Sequence, residues 1–103
     1  MAKFLVTYHG GGEPPADPAM REQMMAAFGA WAASVGENMI DPGAPLGPAK
    51  AVTSSDVRDD DNHIVEGYTV LSAGSLADAV ALVRSHPFVS RGGTLVVSEA
   101  VAP

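Results

Sequence analysis

The sequence contains no cysteine and few charged residues. Without cysteine there can be no disulfide scaffold, thiolate metal site or cysteine nucleophile. Charged residues make up 17% of the chain, below the usual share of about 25%. Basic side chains are the scarcer of the two signs, 6 against 12 acidic ones, which gives a formal net charge of -6. This balance argues against nucleic acid or an anionic membrane as a partner.

Long hydrophobic runs are also missing. The first apolar stretch, residues 4–8, is shorter than the ~7–15 residues of a signal-peptide core. No run approaches the ~18–20 residues of a membrane span, so we expect a cytoplasmic protein. The length of 103 residues fits one domain over residues 1–103. Hydrophobic residues nevertheless reach 47%, which indicates a second apolar surface that needs a cover.

Local patterns predict two helices among four strands. Asp17 and Pro18 are typical of a helix N-terminus, and Gly36 of a helix end. Ser75 caps a second helix, which Pro87 prevents from continuing. The predicted elements, in chain order, are strand 3–9, helix 18–35, strand 49–54, strand 64–72, helix 76–85 and strand 94–101. Residues 37–48, with three prolines, read as a connection.

The order β-α-β-β-α-β predicts an α+β, ferredoxin-like fold. In this arrangement two helices cover one face of a four-stranded antiparallel sheet. Strands 3–9 and 64–72 do not alternate cleanly between apolar and polar residues, so we expect both faces of the sheet to be buried. A second copy of the chain would bury the other face symmetrically. We therefore expect a homodimer.

No local metal motif is present. The three histidines are separated by 54 and 23 residues, too far apart for a motif such as H-E-x-x-H. The acidic residues at 56–61 do not have the ligand spacing or the glycine of a calcium loop, and they predict a solvated turn. His86 is expected to close the second helix, where a positive charge complements the helix dipole. We expect neither a metal nor a cofactor.

Four residues are candidates for the lining of a pocket. His9 ends the first strand just before three glycines, which allow a ligand close to the backbone. Asp41 is the nearest plausible carboxylate partner for a histidine, and Tyr8 and Trp31 could form walls. Simpler interpretations stay open: His9 as a solvent-facing strand end, Asp41 as a turn residue and Trp31 as a core residue.

Several segments together resemble the YCII-related (DGPF-type) proteins over nearly the whole chain. They are KFLVTY (3–8), AFGAW (27–31), GYTVL (67–71), SLADA (75–79), HPFV (86–89) and GGT (92–94). The resemblance implies a ferredoxin-like subunit that pairs into a dimeric α/β barrel. Some family members are thought to use a histidine early in the first helix. Here that stretch contains Met24 and Met25, so the resemblance implies no catalytic residue.

Two functions are compatible with these residues. The first is small-molecule binding, with or without catalysis, in a cleft between the sheet and the first helix of a homodimer. His9 and Asp41 would then be the polar groups, and a His–Asp pair could perform acid–base work. The alternative is a non-catalytic dimeric binding or accessory module. Neither the composition nor the fold decides whether the protein is an enzyme.

Overall fold

A four-stranded antiparallel sheet is the centre of the computed structural model, which describes residues 1–12, 15–60 and 64–103. The elements are β1 (Ala2–His9), α1 (Pro18–Val35), β2 (Met39–Pro45), β3 (Lys50–Val52), β4 (Val57–Asp59), β5 (Gly67–Ala73), α2 (Leu76–Val83), α3 (Pro87–Ser90) and β6 (Thr94–Ala100), with a single 3-10 turn at Gly36–Asn38. The sheet order is β2-β5-β1-β6, and all three pairs are antiparallel. This confirms the predicted ferredoxin-like α+β fold.

The two longer helices begin where the sequence predicts. The Asp17 side chain accepts the Ala19 amide at 2.9 Å, Pro18 occupies the first turn, and Gly36 ends α1 with φ 62°. Ser75 caps α2 by accepting the amide of Asp78 at 3.1 Å. Because these caps satisfy backbone groups that a helix end leaves free, the helix starts are encoded locally.

The second strand of the sheet differs from the prediction. Residues 39–45, expected to be a connection, form β2 at the edge of the sheet, where a strand tolerates proline. Its pairing with β5 is interrupted by two register shifts. Gly43 lies within the second of them with φ 76°, and a side chain there would collide with the carbonyl of Tyr68. The glycine and the prolines therefore belong to an irregular edge strand.

The predicted hairpin between the second and third strands is also different. β3 pairs with β4, and these two strands form a separate small sheet. Its turn is closed by hydrogen bonds between Thr53 and Asp56, and Lys50 pairs with Asp59. The sequence pattern predicted that residues 49–54 form a strand of the main sheet, but residues 50–52 pair instead with the nearby residues 57–59. The rest of the expected charged turn, Asp61 and Asn62, lies outside the described residues.

The two faces of the main sheet have different environments within one chain. On the covered face, Phe4, Val6 and Leu71 are fully buried beneath the helices. On the other face, Leu5 and Val96 are 42% and 46% exposed. That second face is the uncovered apolar surface for which the sequence predicts a partner. None of the helices in the described ranges is long and apolar enough to cross a membrane.

Candidate functional site

A cleft of about 620 Å³ opens on the covered side of the sheet. It lies between the N-terminal half of α1, the end of β2, the chain entering β5, and α3. Apolar residues dominate its walls, among them Met24, Met25, Phe28, Leu46, Ile64 and Phe88. The first turns of α1 do not sink into the core, since Met20 is 52% and Met25 74% exposed. The space beneath that half of the helix is the cleft.

Tyr8, on the covered face of β1, carries the central polar group of the cleft. Its hydroxyl oxygen lies 2.9 Å from Nε2 of His86 and 2.7 Å from Oγ1 of Thr69. Burial raises the pKa of Tyr8, so its phenol is neutral at pH 7. Three polar side chains from β1, β5 and the start of α3 therefore meet at one point.

The ring of His86 is enclosed by aromatic side chains. It is 3% exposed, and its centroid lies 4.3 Å from that of Trp31, 5.1 Å from Tyr8 and 5.6 Å from Phe28. Burial, with a smaller contribution from the charge of Arg91, lowers the pKa of His86 to about 4. The imidazole is therefore neutral at pH 7.

One hydrogen bond fixes the tautomer of His86. Nδ1 accepts the backbone N–H of Phe88 at 2.9 Å, so this nitrogen carries no proton. The proton of the neutral ring is consequently on Nε2, which donates to the Tyr8 oxygen. His86 thus caps the N-terminus of α3 with one nitrogen and holds Tyr8 with the other.

Arg91, just after α3, brings the positive charge of the cleft. Its guanidinium lies 5.3 Å from the centre of the Phe88 ring, and Nη1 contacts the sulfur of Met24 at 3.2 Å. Within residues 1–12, 15–60 and 64–103, no carboxylate forms an ion pair with it. The guanidinium therefore has donors to offer a negatively charged ligand group.

Glu66 provides the carboxylate among the described lining residues. Its Oε2 accepts the amide of Gly11 at 2.9 Å. This contact ties the turn after β1 to the chain that enters β5. A side chain on Gly11 or on Gly93 would collide with the ring of Phe88, so both glycines are needed for the ring to fit between them.

The four residues singled out in the sequence are placed differently. Tyr8 lines the cleft. Trp31 is 4% exposed and lies behind the cleft, where it contacts His86 and its indole N–H donates to the Leu82 carbonyl at 2.9 Å. Trp31 thus lies in the core, and its contact with His86 connects it indirectly to the cleft.

His9 and Asp41 are not brought together. His9 projects from the opposite face of β1 to Tyr8, with ring nitrogens at 2.8 Å from Thr7 Oγ1 and 3.1 Å from the Ile64 carbonyl. Asp41 is exposed and accepts the Gly43 amide at 2.8 Å.

The strand register also separates His9 from Asp41. Asp41 pairs with Val70, which pairs with Leu5, four residues from His9. Two strand spacings separate them by about 10 Å across the sheet and four residues by about 13 Å along it. The geometry therefore does not support the His9–Asp41 pair, since acid–base partners need hydrogen-bond reach.

Of the polar groups that the structure does bring together, Tyr8 was a sequence-based candidate, whereas Thr69 and His86 were not. His86 was expected at the C-terminus of a helix, but it precedes α3, which begins at Pro87. The local signal was the proline, which is favoured in the first turn of a helix and so marks His86 as an N-cap. In the described part of the chain, no group of three or more metal-binding side chains is found.

Comparison with known proteins supports the fold. No family model and no curated protein sequence matches this chain. Among solved structures it is similar to 5-chloro-2-hydroxyhydroquinone dehydrochlorinase (TftG) from Burkholderia phenoliruptrix AC1100, in complex with 2,5-dihydroxybenzoquinone. The match has a TM-score of 0.58 and 18% identity, and it covers 98% of this chain and 95% of that one. At that identity the likeness shows a shared fold.

Proposed function

We propose that this chain is a YCII-related, small-molecule-binding protein whose ligand occupies the cleft beneath α1. The observation that carries the proposal is the cleft itself, about 620 Å³ with apolar walls and a few fixed polar groups. Its size and composition are typical of ligand sites, which are mostly apolar cavities of ~300–1,000 Å³. Tyr8, Glu66 and Arg91 are the groups that would orient the ligand.

The ligand class that suits the cleft is a small ring compound. Phe28 and Phe88 offer aromatic surface and Met24 an adaptable apolar wall, which favours a flat apolar body. TftG is in complex with 2,5-dihydroxybenzoquinone, a compound of this kind. We take phenols, hydroxyquinones and aromatic acids as the first compounds to test.

The contacts of His86 favour binding without catalysis. Both of its ring nitrogens are engaged, and its low pKa makes it a weak base at pH 7. A catalytic version of the proposal would need Glu66, the carboxylate of the described lining, as the proton acceptor. Turnover of a bound ring compound that is lost in Glu66→Gln would establish that version.

A pair of glycine substitutions tests the cleft. A side chain on Gly47 or on Gly29 would meet no atom within 4 Å of its Cβ, and of the two only Gly47 lines the cleft. Titration calorimetry with phenol should show binding to the native protein and to Gly29→Phe, and loss of binding in Gly47→Phe. Equal binding to all three proteins, or to none, would contradict the proposal.

We further propose that the uncovered face of the sheet pairs with a second copy. Leu5 and Val96 are exposed there on neighbouring strands, and a two-fold axis would bury them against the same patch. Light scattering after size exclusion should give a dimer that Leu5→Lys converts to monomer. Val52→Lys is the control, because Val52 is 75% exposed on the small β3–β4 hairpin. A native monomer at micromolar concentration would contradict the pairing.

A further inference from the structure

The hydrogen bonds around Tyr8 form a chain whose direction is fixed at both ends. At one end, Nδ1 of His86 accepts the Phe88 amide, which leaves Nε2–H to donate to Tyr8. At the other end, the Thr69 hydroxyl donates to the carbonyl of Pro42 at 3.0 Å, an oxygen that can only accept.

The direction at Tyr8 follows from these two ends. Because the Thr69 hydroxyl donates its one proton to the Pro42 carbonyl, the Thr69 oxygen must be the acceptor in the 2.7 Å hydrogen bond with Tyr8. Tyr8 therefore accepts from His86 and donates to Thr69. A phenol oxygen has one proton and two lone pairs, so what Tyr8 has left for the cleft is a lone pair.

We infer that the cleft selects a ligand that donates a hydrogen bond to the oxygen of Tyr8, such as a phenol or an enol. An ether or carbonyl oxygen at the same place has no proton to donate. Because the Tyr8 oxygen also offers only a lone pair there, the two acceptors would form no hydrogen bond. Tyr8 is then a specificity-determining residue, and Thr69 and His86 are positioning residues that fix its polarity. This inference rests on the proposed binding function and assigns the chemistry of the ligand.

The experiment compares phenol with anisole, its methyl ether, which keeps the ring and oxygen but lacks the proton. The quantity measured by calorimetry is the ratio of the two dissociation constants, anisole over phenol, in the native protein and in variants. Comparing ratios between variants cancels the intrinsic difference in hydrophobicity between the two compounds. Circular dichroism and thermal unfolding show which variants are folded.

Tyr8→Phe should lower the ratio by several-fold to about tenfold, the usual value of one neutral hydrogen bond. Tyr68→Phe is the matched control: Tyr68 pairs with Thr7, so its side chain projects from the opposite face of the sheet to Tyr8, and this variant should leave the ratio unchanged. Thr69→Val removes the acceptor of the Tyr8 proton, which frees that proton to donate to an ether. This variant should shift the ratio toward that of Tyr8→Phe, whereas a merely structural role of Thr69 would weaken both ligands equally.

Two negative results separate the inference from the function on which it rests. If both compounds bind in the cleft and Tyr8→Phe and Thr69→Val leave the ratio at its native value, the polarity assignment is overturned and the binding function stands. If neither these compounds nor the wider set of phenols and acids binds, and Gly47→Phe behaves like the native protein, both are overturned. A ratio that changes only in Tyr68→Phe would also overturn the assignment to Tyr8.

Discussion

The two ends of the layer between the helices and the sheet differ although α1 runs through both. At its C-terminal end Trp31 and Val35 are buried against Leu71 and Val83, and the space is filled. At its N-terminal end Met25 is exposed and a cleft opens. The comparison indicates a division of labour, in which the filled end stabilises the fold and the open end is available to a ligand.

The largest difference expected between the two ends is in stability. Trp31→Ala should lower the free energy of unfolding by about 3–5 kcal/mol, because it leaves a cavity and an unpaired Leu82 carbonyl at the filled end. Met25→Ala at the open end should change it by less than about 0.5 kcal/mol. Urea unfolding monitored by circular dichroism measures both values. Similar losses in the two variants would contradict the division.

The sequence predicted the two longer helices better than it predicted the edge strand that borders the cleft. The caps at Asp17 and Ser75 are local signals, and the structure confirms them. β2 was missed because its prolines suggest a loop, and only its position at the sheet edge makes them acceptable. Local pattern does not report which strand will be at an edge.

The polar chain of the cleft could not be read from the sequence for a related reason. Its members Tyr8, Thr69 and His86 are separated by 61 and 17 positions and come from three elements. Their meeting depends on the register that pairs β1 with β5 and on the start of α3 at Pro87. Tyr8 was a candidate as a wall of the pocket, whereas Thr69 carried no signal of its own.

A second difference between the ends is sensitivity to pH. The pKa of His86 is lowered by burial, and secondarily by Arg91, from 6.5 to about 4 in the folded protein. Between these values the unfolded chain binds a proton that the folded chain does not. The stability associated with neutral His86 is therefore fully present above pH 6.5 and is lost as the pH falls toward 4.

The measurement for His86 is urea unfolding at about pH 7 and about pH 4.5. Relative to His86→Asn, which can still accept the Phe88 amide but does not titrate, the native protein should lose on the order of 2 kcal/mol between the two. The comparison with the variant cancels the titration of the carboxylates, which both proteins share. An equal loss in native protein and variant would show that the aromatic enclosure does not hold His86 neutral.

The smallest expected effect concerns the charge of the open end. Arg91→Met should weaken the binding of benzoate by less than about fivefold, since the guanidinium is exposed and such pairs contribute ~0.2–1 kcal/mol. Binding of benzamide, its neutral counterpart, should be unchanged. Arg84→Met is the control, because Arg84 lies outside the cleft. Calorimetry at low and high salt measures the effect. Equal weakening of benzoate binding by both substitutions would show that Arg91 is not part of the site.

The central claim, that the open end of the helical layer is the ligand site, is tested most directly by amide chemical shifts during a titration with phenol. We predict that the amides of Gly12, Gly43 and Gly47, which lie around the cleft, shift with one common dissociation constant. The amides of Ala79 and Val83 at the filled end should stay in place. Shifts confined to the filled end or to the uncovered face of the sheet, or no saturable shifts at all, would contradict the account.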